Sequence, residues 1–382
     1  MPTAAGESRL STLTLVDPQR EPGWTHATVP ASDRRPLPSA PQILTVEVVG
    51  AGRSRGLAEW VEETSSTSLL VLRGGQVVHE WYADGLGPDT LLLGASMSKS
   101  VLAHLVGRAV RDGALALTDL VTDHVPDLRG SGYEGTRVLD LLTMTSGVEW
   151  VEDHRDPDGL ASRLLGCFAD GGDSRGLLRE VRPGVPPATR FAYCTADSQV
   201  LDWVRESATG RPCAEDVARL WRDLGCTRDA VVAVDGAGVA LAGGGLAATS
   251  PDWAKVALLA VAGVTDRDER LLDPAWTDAA ARPAYRFLGV GRLPSSITTH
   301  AGFGYHWWPM DDAGRRVTAD GSRGQFAAVD RRAGVVVVKT SQWPYADVLV
   351  DRQARDLSYL GLHALLDAAS RPPLPRTKES AS

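Results

Sequence analysis

Lysine is the scarcest charge in this chain. Of 40 basic residues only Lys99, Lys255, Lys339 and Lys378 are lysines, and arginine supplies the rest. With 48 acidic residues the formal net charge is −8, which disfavours nucleic acid as a partner and leaves solubility as its plainest effect. Cysteine is scarce as well. Cys167, Cys194, Cys213 and Cys226 form no C-x-x-C pair, and a chain of 382 residues needs no disulfide framework, so reduced, packing cysteines are expected. No apolar run approaches the roughly 20 residues of a membrane helix. The start, MPTAAGESRLSTLTLVDPQREPGW, has no basic segment followed by an apolar one, the pattern of a secretory signal. A cytoplasmic protein without a membrane partner is the expectation. His79, His104, His124, His300 and His306 show no metal-ligand spacing. Gly243-Gly244-Gly245 lacks the lysine and the strand–helix context of a phosphate loop. No metal and no organic cofactor is expected.

What is present suffices for a packed core, since 43% of residues are hydrophobic and 23% charged. Residues 1–42, rich in Pro, Ser, Asp and Arg, read as an irregular arm. In TSLLVLRGGQVVHEWYA (67–83) two strand-forming runs flank Gly74-Gly75, a hairpin signature. Val101, Leu102, Leu105, Val106 and Ala109 recur at helical spacing before a stop at Gly113. Helical periodicity recurs over 136–147, over 197–210 and 214–225 with terminal glycines, and after a Ser250 cap with Pro251 at the first helical position. FGYHWWPM (303–310), QFAAVD (325–330) and GVVVVKTSQW (334–343) read as strands, and 354–369 as a closing helix. Strands, helices, strands, helix is the order of an α+β protein. The predicted organisation is a domain of antiparallel sheet flanked by helices at 43–95 and 240–372, a mostly helical domain inserted at 96–239, and a frayed tail at 373–382.

The chemically suggestive stretch is LLLGASMSKSVLAHLVGRAV (91–110), with Ser96 and Lys99 three residues apart. In the first turn of a helix the two share a face. A desolvated lysine there can act as a base towards the hydroxyl, and the amide of Ser96 can point at a developing oxyanion. A capping serine beside a solvated lysine fits the same four residues.

The rest of the chain favours the first reading. DLLTMTSGVEW (140–150), PPATRFAYCTADSQVLDWV (186–204), ALAGGGLAATSPDWAKVALL (240–259) and the span from FGYHWWP at 303 to TADGSRGQFAAVD ending at 330 follow Ser96 in a familiar order. Together they resemble the serine β-lactamase-like superfamily of class C β-lactamases, DD-peptidases and esterases, and most nearly its 6-aminohexanoate-dimer (nylon oligomer) hydrolase-like members. The resemblance spans residues 65 to 340. It implies a β-lactamase/transpeptidase-like fold with the site in the cleft between the two domains.

On this resemblance Ser96 is the nucleophile, Lys99 its partner, and Tyr193 the tyrosine of the Tyr-x-Asn motif, placed to shuttle a proton. Thr195 stands where many relatives carry Asn or Ser. The Lys-Thr-Gly or His-x-Gly position falls on Ala319-Asp320-Gly321-Ser322, so the amide of Ser322 is the expected second oxyanion donor, with Gly321 beside it at the substrate. No cation stands at Ala319, which argues against tight binding of a β-lactam carboxylate. Lys339-Thr340-Ser341 mimics the motif one strand later and reads as a strand end. In VEDHRDPDG (151–159), His154 replaces a tyrosine that touches the leaving amine in nylon-oligomer hydrolases. Either a hydrogen bond to substrate or a solvated loop histidine fits. Trp308, beside Trp307, is a candidate substrate wall, and buried packing is its alternative. The resemblance implies a serine acyl enzyme acting on a small-molecule ester or amide. Water as acceptor makes it an amidase or esterase, and an amine or alcohol makes it a transacylase. A non-catalytic binding protein of this fold is the remaining alternative.

Overall fold

The computed structural model describes residues 14–50, 52–286, 302–343 and 352–371. The expected tail at 373–382 and His300 lie outside the described residues. Strand β1 (Thr25–Val29) precedes a small hairpin of β2 (Glu47–Gly50) and β3 (Arg53–Gly56), then α1 (Leu57–Glu63), β4 (Ser66–Arg73), β5 (Gln76–Tyr82) and β6 (Leu92–Leu93). The middle is helical: α2 (Ser98–Arg111), α3 (Val121–His124), α4 (Val138–Leu142), α5 (Leu160–Ala169), α6 (Ser174–Arg179), α7 (Thr195–Thr209) and α8 (Cys213–Leu224). Then come β7 (Ala230–Val234), β8 (Leu246–Ala248), α9 (Ser250–Ala262) and α10 (Pro274–Ala280). Strands β9 (Trp308–Pro309), β10 (Arg316–Gly321), β11 (Gln325–Asp330) and β12 (Val335–Ser341) lead to α11 (Arg352–Ser370).

The main sheet has six strands in the order β5-β4-β12-β11-β10-β9, all antiparallel. Its central strand β12 is buried along its whole length. Alternation explains the continuous apolar run there. Val336 and Val338 enter one core, shared with α2 and α9, while Val335 and Val337 enter a second, shared with α1 and α11. The β4–β5 hairpin turns on Gly74 (φ 55°) and Gly75 (φ 77°), with Arg73 paired to Gln76. This is the two-residue turn whose positive φ angles match the twist of its strands. α7 and α8 stop at Gly210 and Gly225 in the left-handed conformation, as their sequences predict.

Several expectations need correction. The 1–42 arm is not irregular throughout, because Thr25–Val29 pairs with β7 at one edge of a second, four-stranded sheet of order β1-β7-β8-β6. The mostly helical stretch 96–239 therefore contains a strand, β7, whose partners come from outside it. The helix expected over 136–147 covers only Val138–Leu142. The Thr143 hydroxyl donates back to the Leu139 carbonyl at 2.8 Å, and Met144 turns left-handed at φ 55°, which ends the helix. The strand expected over 303–310 shrinks to Trp308–Pro309, because His306 has φ 55°. The cap of α9 is Thr249 rather than Ser250, its side chain accepting from the Asp252 amide. No helix among the described residues is long and apolar enough to cross a membrane.

Candidate active site

The turn Gly94-Ala95-Ser96-Met97 leads from β6 into α2, so Ser96 sits in a 3₁₀ turn just ahead of the helix. β6 is held on both sides. It pairs with β8, the Leu93 amide donates to Leu15 O, and the Gly94 amide donates to Leu246 O at 2.9 Å. Gly94 is needed because a Cβ there would lie 2.3 Å from the Trp253 ring. Ala95, next to Ser96, is held at φ 46°. That costs a non-glycine residue about 1 kcal/mol or more, supported here by the surrounding hydrogen bonds. Among these, the Ser98 hydroxyl donates to Ala95 O and receives the Leu246 amide.

Lys99 is 2% exposed. Its Nζ lies 2.7 Å from Gly243 O, 3.1 Å from Ser96 Oγ and 3.3 Å from Thr195 Oγ1. It also lies over the Tyr193 ring, 5.1 Å from the centroid. Gly243-Gly244-Gly245, which no phosphate chemistry explained, thus supplies a carbonyl that holds the lysine. Tyr193 and Thr195 flank the start of α7. Trp308 stacks on Tyr193 with centroids 5.9 Å apart, and Phe303 packs edge-on against both rings. Trp308 is 4% exposed and stands behind Tyr193 rather than among the residues lining the cavity.

Sequence reasoning missed Glu152. This carboxylate accepts four hydrogen bonds. Oε1 takes the Thr195 hydroxyl at 2.5 Å and His154 Nε2 at 3.3 Å, and Oε2 takes the Thr195 amide at 2.8 Å and the Trp150 indole at 2.6 Å. Burial would raise its pKa. The hydrogen bond and charge of His154, the charge of Lys99 and the bond from Thr195 outweigh that and hold it at about 2. His154 therefore points its Nε2 at Glu152, and its Nδ1 is buried without a hydrogen-bond partner among the described residues. Behind the site, Ser198 Oγ meets His306 Nε2 at 3.1 Å, and His306 Nδ1 lies 2.9 Å from Leu142 O. Burial, with Lys99 nearby, lowers the His306 pKa to about 3, so this imidazole is neutral.

The β10–β11 turn closes the other side. Gly321 packs onto the Gly94–Met97 turn so tightly that a Cβ would lie 2.2 Å from Gly94 O. Ser322 and Arg323 follow it into the cavity, with Arg323 at φ 62°. Gly321 itself supports the turn and does not line the cavity. Asp320 accepts from the Tyr359 hydroxyl at 2.8 Å. The cavity holds about 450 Å³ and brings together Ser96, Lys99, Tyr193, Thr195, His154 and Ser322.

Lys339-Thr340-Ser341 lies in β12 away from this cavity. Lys339 is fully buried, its Nζ donating to Ser341 Oγ and lying 5.5 Å from Trp60, 5.9 Å from Phe326 and 5.7 Å from Trp343. Those ring faces favour an ammonium, but removal from water costs more and drives its pKa well below 10.5. Between the lowered folded pKa and pH 10.5 the unfolded chain binds this proton and the folded one does not, so the wild type gains stability as pH rises through that interval. Lys339→Met is expected to raise the melting temperature near pH 7, with the gain shrinking as pH approaches 10. Calorimetry of both proteins across that range checks it, and equal shifts at pH 7 and pH 10 would contradict the assignment.

An antiparallel sheet flanked by helices, with a Ser-x-x-Lys pair whose lysine is buried at the start of a helix, defines a class, and comparison with known proteins agrees. A family model described as Beta-lactamase matches residues 55–360, and the chain belongs to that family. It is a hydrolase of the serine β-lactamase-like kind. Among curated proteins it is similar to the 6-aminohexanoate-dimer hydrolase of Paenarthrobacter ureafaciens, 31% identical over 328 residues, covering 84% of this chain and 83% of that one. Among solved structures it is similar to a Bacillus anthracis protein provisionally described as a 6-aminohexanoate-dimer hydrolase. The TM-score is 0.76 at 20% identity, over 95% of this chain and 92% of the other. EstCE1, described as a hydrolase with promiscuous acyltransferase activity, aligns with TM-score 0.60 at 18% identity, over 81% and 98%. These two structures share the fold.

Proposed function

We propose that this protein cleaves an ester or amide bond of a small molecule through an acyl-Ser96 intermediate. The observation that carries this reading is the set of partners around Lys99. Gly243 O can only accept. Thr195 Oγ1 also accepts from Lys99, because its own proton is committed to Glu152. Once this amine has given up a proton, its two remaining N–H groups serve these two acceptors and its lone pair faces Ser96 Oγ, 3.1 Å away.

Ser96 Oγ attacks the carbonyl carbon as its proton passes to Lys99, and the carbonyl oxygen becomes an oxyanion facing the amides of Ser96 and Ser322. When the tetrahedral centre collapses, the bond to the leaving group breaks and the proton returns to that group, with the Tyr193 phenol as the relay. Water then repeats the sequence on the ester of Ser96, releasing the acid. No step in this scheme calls for a metal or organic cofactor.

The first test is intact-protein mass after exposure to a fluorophosphonate and to p-nitrophenyl acetate. A single adduct on the wild type that is absent from Ser96→Ala is expected. Labelling of both proteins, or of neither, would refute the reading. Transfer to an amine or alcohol uses the same intermediate. Product analysis with added amines separates the two.

A further inference from the structure

The N-terminal segment builds a wall of the cavity, and its course across the sheet explains how. Val16 bridges Leu92, Asp17 N donates to Leu91 O at 2.8 Å, and Leu93 N donates to Leu15 O at 2.8 Å, so residues 15–17 extend the β6 edge of the four-stranded sheet. Nine residues later Thr25–Val29 is bonded to β7 at the opposite edge. Residues 15–17 lie one strand beyond β6, so they and β1 are four strand spacings apart, about 19 Å, a gap the intervening residues span easily. They do so through a 3₁₀ turn at Pro18–Arg20. Gly23 docks on the end of α5, where a Cβ would lie 3.1 Å from Ala169 O. The segment is a strap laid across the sheet, and the cavity lies beneath it.

The strap contributes Leu15, Pro18, Trp24 and His26 to the cavity. Leu93, Ala233 and Leu241, with Leu165 from α5, line the same cavity. Continuity with the reaction centre is direct. Lys99 is held by Gly243 O, Gly245 packs on Ala233 and Leu241, and Ala233 pairs with His26. The one titratable side chain these elements bring to the lining is His26, whose burial disfavours its charged form and lowers its pKa. The charged lining residues Glu152, Asp153, Arg155, Asp320 and Arg323 belong to two other walls, the 152–155 loop and the β10–β11 turn, and Lys99 belongs to the Ser96 centre.

We infer that the space under the strap is the acyl subsite, that it takes an uncharged aliphatic chain of about four to eight carbons, and that Trp24 and Leu165 set its length preference. This rests on Ser96 being the acylated residue. The covered side suits the acyl group, since that part stays bonded to Ser96 while the leaving group departs and the acceptor enters. A terminal ammonium or carboxylate there would lose water and gain no counter-charge. The inference therefore separates this protein from a hydrolase acting on a chain with a charged end.

The test is kcat/KM for p-nitrophenyl acetate, butyrate, hexanoate and octanoate, with the 6-aminohexanoyl ester as the charged comparison, beside fluorophosphonate labelling of Ser96. Burial of each methylene predicts a rise of about threefold, hence at least tenfold from acetate to hexanoate. The 6-aminohexanoyl ester is expected to fall at least tenfold below hexanoate at pH 7. Trp24→Ala and Leu165→Trp should each lower the hexanoate-to-acetate ratio at least fivefold. Labelling reports whether a variant has folded, so either can locate the subsite if the other fails. A flat series on a protein that labels at Ser96 overturns the subsite and leaves the nucleophile standing. A rising series with both ratios unchanged places the preference away from the strap and overturns the assignment. Failure to label the wild type removes both readings.

Discussion

Lys99→Met should slow acylation of Ser96 by about a thousandfold or more, the upper range for loss of a positioned base and its partner contacts. Methionine fills the same buried space without an unpaired charge, so the fold should survive. The sharper comparison is Lys99→Arg. If the residue served as a fixed positive charge, arginine would keep most of the rate. A guanidinium is never neutral in a protein, has no lone pair to offer Ser96 Oγ, and presents a planar fork where Gly243 O, Thr195 Oγ1 and Ser96 Oγ surround a single nitrogen. Both variants should therefore be equally slow in the burst phase of p-nitrophenol release. An arginine variant within tenfold of wild type would show that charge, not proton transfer, is what this position supplies. The double variant Ser96→Ala/Lys99→Met should be no slower than either single one, since the pair acts as one unit.

The parts of this molecule that sequence made legible are those whose cause is local. Gly74-Gly75 between two β-branched runs can form little else than a tight hairpin, and the glycines after α7 and α8 end them in the left-handed conformation. Ser96 and Lys99 are neighbours because three residues of helical backbone make them so. The fold itself was legible through the order of motifs. What stayed hidden depends on partners distant in the chain. Glu152 sits in a loop rich in charge, where an acidic residue normally reads as solvated. Its burial is possible because Trp150, His154 and, 43 positions on, Thr195 all turn donors towards it. Thr25–Val29 was masked by the prolines and charges around it, and becomes a strand because β7 offers it a free edge. The same compositional reading that treated residues 1–42 as an arm concealed one wall of the cavity. Trp308 was misplaced for a related reason. An aromatic can line a cavity or brace a residue that does, and the stacking on Tyr193 decides for bracing.

Glu152→Gln should lower kcat/KM by about a hundredfold while leaving labelling at Ser96 detectable. All four partners of this carboxylate donate: the Thr195 amide, the Thr195 hydroxyl, the Trp150 indole and His154 Nε2. Glutamine offers one accepting oxygen and an amino group that donates, so in either orientation two donors lose their acceptor and face another N–H. Each lost charge-assisted bond is worth about 1.5–3 kcal/mol, and one such loss expressed in the transition state accounts for the rate. The damage reaches Ser96 through Thr195. Once its proton is no longer committed to Glu152, the hydroxyl can turn it towards Lys99, and the lysine loses one of the two acceptors that leave its lone pair for Ser96. Glu152 is thus a positioning residue, and pH distinguishes this role from a general weakening of the fold. Its pKa is about 2 in the folded protein against 4.5 for a free side chain, so its carboxylate stabilises the fold by about 3 kcal/mol above pH 4.5. That contribution is lost as pH falls from 4.5 towards 2. The melting temperatures of wild type and Glu152→Gln should therefore differ most at neutral pH and converge below pH 4, while the rate defect persists at every pH where both proteins are folded. A gap in melting temperature that stays constant down to pH 3 would mean that the carboxylate is not the ionised hub of this network.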